Sequence, residues 1–296
     1  MAILPMDADI LPPADDRIFK VLLTHPDAKR VLIDVVSTVI ECNVVDVQIR
    51  NNELPVMDID EKAERFDINC TIHTNDPQPD AKSEDSRIAQ VDVEMHSTMI
   101  NESGEKRINF LNKYTYYMTD LHSSQKSKGK DYSELVRTYQ VTFCSHPVFN
   151  DRPDFVSRFA MRTAGGILLS DQINMIIVEL SKLNDALKKP VEKLTAFEKW
   201  SLFFRFAQEP VQRSYINDII KDKEEIGMAA ALLQEISKDE RERAILRSRR
   251  MAETDLFSNI RTAEKVGEAR EREKWQSIVA DKEAEIARLQ AALNAR

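Results

Sequence analysis

Glycine is scarce in this chain, six among 296 residues, and none sits in a GxGxxG or GxxxxGK[ST] pattern. Without such a loop the backbone has no cradle for the phosphates of a dinucleotide or a nucleoside triphosphate. Cysteine is scarcer still. Cys42, Cys70 and Cys144 lie far apart with no CxxC pair, which argues against a disulfide framework or a zinc site and for buried thiols in a reducing, cytoplasmic setting. The five histidines are scattered without ligand spacing, so a histidine-rich transition-metal site is not expected. No apolar run reaches the roughly 18 residues of a membrane span, and Met1 to Asp16 lacks the basic start and apolar stretch of a secretory signal. An excess of positive charge is also missing. The formal net charge is −8, which counts against a chain that binds nucleic acid over its whole surface but leaves room for a local basic patch.

The composition is 42% hydrophobic and 31% charged, enough for one sizeable core or two modest domains. Residues 1–14 carry three prolines and read as an extended arm; Asp15 or Asp16 then caps a helix bearing Ile18, Phe19, Leu22 and Leu23. A second helix follows Pro26, and Val44 to Arg50 reads as a strand. The centre of the chain is the stretch Arg65 to His96. Phe66, Ile68, Cys70 and Ile72 alternate with Asp67, Asn69 and Thr71; Val91, Val93 and Met95 alternate with Asp92, Glu94 and His96. Period-2 alternation on both sides of a polar loop predicts a hairpin of half-buried strands with carboxylates on one face. Glu105 to Ser124 is a helical pattern with an aromatic face. Val136 to Phe143 and Met175 to Leu180 are strand candidates, with loops and irregular pieces between them. Leu194 to Ala207 and Ile216 to Ser237 read as helices. From 263 onward Trp275, Val279, Lys282, Ile286, Leu289 and Leu293 recur on alternating 4- and 3-residue steps, the seam of a coiled coil or of a helix docked on its own body.

If the two central strands pair, Asp67 and Glu94 converge, with Asp92 and Asp16 as further candidates. Magnesium takes one or two carboxylates and keeps several waters; these two groups with the Met95 carbonyl form such a partial coordination sphere. The plainer alternative is a solvated sheet face, and the plainer reading of His96 is a hydrogen-bonded surface residue. Tyrosines 114, 116, 117 and 132 stand beside lysines, as base-stacking groups or as core. The five arginines in 241–250 read as a solvated helix face or as a DNA contact.

The ordered set of motifs resembles the transposase-like, recombination-promoting branch of the PD-(D/E)XK nuclease superfamily. Asp16-Arg17-Ile18-Phe19-Lys20 resembles its opening helix, Phe66-Asp67-Ile68 its catalytic-aspartate strand, and Val93-Glu94-Met95-His96 its Ile-Glu-Met-Gln motif. Lys113-x-x-x-Tyr117, Lys128-Gly129-Lys130-Asp131-Tyr132-Ser133-Glu134-Leu135 and Ile176-Ile177-Val178-Glu179-Leu180 follow in the same order. The resemblance spans about residues 15–183. It implies a metal-dependent DNA endonuclease with Asp67 and Glu94 on Mg²⁺ or Mn²⁺, His96 positioning water where the family has Lys or Gln, and Asp16 or Lys20 supporting the site. Lys113, Lys126, Lys128 and Lys130 are then the phosphate contacts.

The expected fold is therefore α/β: a restriction-endonuclease-like mixed sheet flanked by helices, then a helical region and a C-terminal coiled coil. The expected divisions are an arm at 1–14, the nuclease-like domain at 15–189, helices at 190–262 and a coiled coil at 263–296 that joins copies of the chain. The expected partner is DNA, with no membrane. The alternative function is a catalytically inactive nuclease fold that binds protein partners through its helices and coiled coil.

Overall fold

The computed structural model describes residues 3–50, 67–75, 87–98, 104–125 and 131–294. The polar loop of the central hairpin, Phe66 and the lysines at 126, 128 and 130 lie outside these residues. The chain divides into two compact units, Met1–Lys238 and Asp239–Arg296.

In the first unit, helix α1 (Asp16–Leu23) starts where Pro12 and Pro13 end, capped by the Asp15 carboxylate, which accepts from the amides of Arg17 and Ile18. Helix α2 (Lys29–Ile40) follows, then strands β1 (Val44–Ile49), β2 (Ile68–Thr74) and β3 (Ile88–His96). Helix α3 (Gly104–Ser123) crosses over to β4 (Arg137–Cys144), which runs parallel to β3. Strands β5 (Val156–Arg162) and β6 (Leu168–Glu179) complete a mixed six-stranded sheet of order β1-β2-β3-β4-β6-β5. The α/β class and the mixed sheet flanked by helices are as the sequence implied.

Two faces of this sheet differ in chemistry. On one, Val93, Val141 and Phe143 are buried, and Phe143 meets Phe19 of α1 at 5.6 Å and Phe204 of α4 (Ala196–Phe206) at 5.4 Å between ring centroids. The other face carries a buried polar row on adjacent strands, with Asp92 beside Gln140 and Glu94 beside Thr142. Helix α3 covers it with Phe110 and Tyr114, which pack into the cluster of Val148, Met175 and Ile177.

Three expectations are corrected. The central strands are not half-buried: β3 is buried on both faces from Ala89 to Met95, because α3 closes the polar side as well. The segment between Cys144 and Met175 is irregular only as far as residue 155; the rest is strand. From Val156 it forms β5 and the first half of β6, a hairpin around Gly166 at φ +89°. Much of β5 is exposed at the sheet edge, so it carries no alternating apolar signal and owes its strand to pairing with β6. The pattern from Ile216 to Ser237 is two helices, α5 (Arg213–Asp222) and α6 (Glu224–Lys238). They break at Lys223, whose backbone is extended while its ammonium binds Asp34 at 2.9 Å.

The second unit is one helix, α7 (Glu240–Asn294), without interruption.

Glu179 closes β6 and is fully buried. One carboxylate oxygen accepts from the amides of Val148 (2.5 Å) and Phe149 (3.0 Å); the other accepts from the Lys182 ammonium at 2.7 Å. Glu179→Ala strands two amides and a cation away from water, so it should cost roughly 3–5 kcal/mol. Glu179→Gln, whose carbonyl still accepts from the amides, should cost less. Urea unfolding measures both; a Glu179→Ala midpoint equal to wild type would contradict this account.

Candidate active site

Register sets the geometry. Ile68 faces Val93 and Asn69 faces Asp92 across the antiparallel β2–β3 ladder, so one step further Asp67 stands opposite Glu94. The two residues grip each other: the Asp67 amide donates to Glu94 Oε1 at 2.9 Å, and the Met95 amide donates to Asp67 Oδ2 at 3.2 Å. In an antiparallel ladder one residue's amide and carbonyl point to the same neighbour. The Met95 carbonyl is thus turned toward Asp67 as its amide is.

Asp92 is wholly buried two residues before Glu94. Its Oδ2 accepts from Gln140 Nε2 at 2.7 Å, while Oδ1 has no hydrogen-bond donor among the described residues. Asp92 and Glu94 can bond to each other only when one carries a proton. The three carboxyls share one electrostatic problem. Burial, opposed by the Met95 amide and the Lys20 and Lys113 charges, raises Asp67 to about 6. Burial also raises Asp92 to about 8 against the Gln140 bond. Glu94 is pushed well up by burial and then by its two acidic neighbours. A divalent cation relieves repulsion of this kind.

His96 ends β3. Its Nδ1 lies 3.2 Å from the Tyr114 hydroxyl, and its ring meets Phe110 edge-on at 4.9 Å. Burial, with the Lys113 and His146 charges, lowers its pKa to about 4, so it is neutral at physiological pH. The Tyr114 hydroxyl, raised by burial and the nearby carboxylates, stays protonated.

Helix α1 brings Asp16 and Lys20 within electrostatic reach: Lys20 opposes the rise of Asp67, and Asp16 acts on both Asp67 and His96. Lys113 of α3 holds its ammonium 4.8 Å from the Tyr114 ring centroid and 5.0 Å from that of Tyr117. Thus Asp67, Glu94, Met95, His96, Asp16, Lys20 and Lys113 gather at one end of β3.

Two contributors escaped the sequence reading. Gln140 had a signal, the polar alternation of Thr138, Gln140 and Thr142 within β4, but its partner depended on a parallel register that no local pattern reveals. Tyr114 was divided between core and base stacking, and it serves as core while holding His96. The solvated-face alternative does not survive the burial of Asp92 and Glu94. Among the described residues no three His, Cys, Asp or Glu side chains stand as a ready metal cage. The donor set is two carboxylates and a backbone carbonyl.

No curated protein and no solved structure matches the chain. A family model described as PD-(D/E)XK nuclease family transposase matches residues 13–263, from the start of α1 into α7 and across both carboxylate-bearing strands. The match takes in well over half of the sequence and every residue just described at the end of β3, and the chain belongs to the PD-(D/E)XK nuclease family transposases.

Proposed function

We propose that this protein is a metal-dependent endonuclease that hydrolyses phosphodiester bonds in DNA, with the work done by residues 15–189. The observation that carries the reading is the Asp67–Glu94 pair, set opposite each other by strand register where β2 begins, with Glu94 buried and Asp67 half-buried. Family membership supports the same reading, since its nuclease name points to DNA as substrate.

The donor chemistry fits Mg²⁺ or Mn²⁺, hard cations that accept one or two carboxylates and keep several waters. Asp67 and Glu94 would hold the ion, with the Met95 carbonyl as third donor. When bound, the ion supplies Lewis acidity toward the phosphate and lowers the pKa of water. The residues do the rest. Asp92, pinned by Gln140, fixes the Glu94 side of the site. His96 is neutral, and when Tyr114 accepts from its Nδ1–H, its Nε2 is an acceptor that orients a water. Hydrolysis joins that water's oxygen to phosphorus, breaks one P–O ester bond and returns the proton to the departing oxygen through solvent. Lys20 and Lys113 lower the cost of gathering negative charge, and the lysines at 126, 128 and 130 are proposed to meet phosphates along the strand.

Mn²⁺ in excess should stabilise the wild type by RT ln(1 + [L]/Kd), about 2.7 kcal/mol at roughly 100 times Kd, a melting shift of about 5–10 °C. Asp67→Asn and Glu94→Gln should abolish both that shift and cleavage of plasmid DNA. Equal Mn²⁺ responses in wild type and Asp67→Asn would sink the metal site.

The pKa shifts give a second expectation. Asp67 and Asp92 bind protons more tightly folded than unfolded. Their contribution is complete below the ordinary carboxylate range of about 4 and is lost as pH rises, through about 6 for Asp67 and about 8 for Asp92. In chelator, the urea midpoint should fall as pH is raised across this window. The component near 6 should be missing in Asp67→Asn, and Mn²⁺ should reduce the fall. A metal-free midpoint that climbs over the same window would be the wrong sign.

A second reading, the inactive interaction module, draws on α7. Trp275, Val279, Ile286, Leu289 and Leu293 are all exposed along it. Their 4- and 3-residue steps make one seam, interrupted only by Lys282, and we propose that a second copy of the chain covers it. This serves either function. Truncation after Thr262 should lower the mass seen by light scattering without changing the core's unfolding midpoint; a monomer before and after truncation would reject the pairing.

A further inference from the structure

Phe149, in the loop after β4, is fixed on both sides of its backbone. Its amide donates to Glu179 Oε1 at 3.0 Å, and its carbonyl accepts from the Lys182 ammonium at 2.6 Å. Its ring is buried in the cluster that α3 covers with Phe110 and Tyr114. Two guanidinium groups rest on that ring. Arg107, near the start of α3, places its central carbon 5.2 Å from the ring centroid, and Arg152, in the loop before β5, places its own at 5.5 Å. Both arginines are exposed.

Packing on a ring does not account for the pair. Arg158 and Arg205 also lie over phenylalanine rings, at 5.9 and 5.0 Å, and each meets a carboxylate, Glu41 at 2.7 Å and Glu209 at 2.9 Å. Arg107 and Arg152 meet no carboxylate within ion-pair distance among the described residues. Two like charges drawn to one ring without a counter-ion repel each other, and an anion lying across both removes that repulsion. Their position suits one anion in particular. His96 stands beside Cys144, and Cys144 beside Glu179, on successive strands. The Glu179 anchor of Phe149 is therefore two strand spacings, about 10 Å, from the end of β3. That is roughly three nucleotides of duplex rise at about 3.4 Å each.

We infer that Arg107 and Arg152, seated together on the Phe149 ring, grip the phosphate backbone of DNA beside the proposed cleavage site. The inference deepens the nuclease reading and rests on it. A guanidinium meets phosphate oxygens through two parallel N–H donors, and a ring beneath it fixes the plane of that fork. The aromatic face holds each long side chain in place before the strand arrives. The grip acts on strand already past the reacting bond, so it binds substrate and transition state alike.

Salt dependence tests it. Each phosphate that a bound cation neutralises adds about 0.9 to the steepness of log Kobs against log salt concentration. In chelator, where the metal is withheld, fluorescence anisotropy of a labelled DNA duplex measures that steepness over a salt series. It should fall by about 1.8 in the double variant Arg107→Ala/Arg152→Ala. Arg107→Lys/Arg152→Lys keeps both charges and should keep the wild-type value. Arg162→Ala removes a charge at the other end of β6, beside Leu168, and should leave the steepness unchanged. In Mn²⁺ the alanine double variant should raise KM for duplex cleavage far more than it lowers kcat.

A wild-type steepness in the alanine double variant overturns the inference. So does an equal loss in the lysine double variant, which would make the arginines packing groups, or in Arg162→Ala, which would make the effect one of overall charge. These readings need no cleavage. A wild type that binds the duplex through both arginines and cuts nothing in Mn²⁺ defeats the nuclease reading and upholds the grip. A wild type that cuts DNA with a steepness indifferent to both arginines does the reverse.

Discussion

Three carboxyl groups gathered at the β2–β3 ladder, Asp92 and Glu94 buried and Asp67 half-buried, are the constraint on which the rest of this structure depends. Taking a carboxylate out of water costs several kcal/mol, and Asp67, Asp92 and Glu94 lie close enough to oppose one another's ionisation. Local groups offset part of that cost: the Gln140 amide on Asp92, the Asp67 amide on Glu94 and the Met95 amide on Asp67. None of these is an ion pair. Among the described residues, Asp92 Oδ1, Gln140 Oε1 and Thr142 Oγ1 find no hydrogen-bond partner on this sheet face, an arrangement that a core selected for stability alone would replace with apolar residues. Strain of this kind at one end of one strand is what a site looks like when its ligand completes the charge balance.

The surrounding fold can be understood as the frame that makes such burial tolerable. The opposite face of the sheet has an apolar centre, and there the rings of Phe19, Phe143 and Phe204 interlock at 5.1–5.6 Å between centroids. That junction fixes α1 against β4 and α4, and with it the places of Asp16 and Lys20. On the α3 side, Gln125 receives the Val136 amide at 2.9 Å and donates to the Val136 carbonyl at 3.1 Å, which pins the start of β4 to the end of α3. Glu179 performs the same service at the far end of β6. Polar anchors at the ends of the strands and aromatic packing across the sheet together hold the register on which the Asp67–Glu94 encounter depends.

Much of this was legible in the sequence, for identifiable reasons. Alternation on two sides of a polar loop is a local property, so β2, β3 and the convergence of Asp67 with Glu94 could be read directly. The Pro-Pro-Ala-Asp-Asp start of α1 was equally local. What could not be read was non-local. Burial on the polar face depends on α3 lying over it, and a strand with acidic residues looks solvated until its cover is known. Strand β5 exists through pairing with β6, not through its own pattern. The Asp92–Gln140 bond joins residues 48 apart through a parallel ladder. Lys223, which divides α5 from α6, is a helix-compatible residue whose extended backbone accompanies an ion pair to Asp34 in α2.

Position 96 shows how far one substitution redistributes a site. It lies two residues beyond Glu94 on the same face of β3, so any side chain there points toward α3. A lysine at that position would extend a charged arm past Glu94. Histidine is shorter and flat, and here it is drawn into an aromatic group with Phe110 and Tyr114, losing its proton to burial. Once the strand residue has become part of the packing, helix α3 is what fixes its ring. One of the rings that pack against His96, Tyr114, also lies under the Lys113 ammonium. The formal charge of −8 says little about this end of β3, because α1 and α3 bring the Lys20 and Lys113 charges within reach of Asp67.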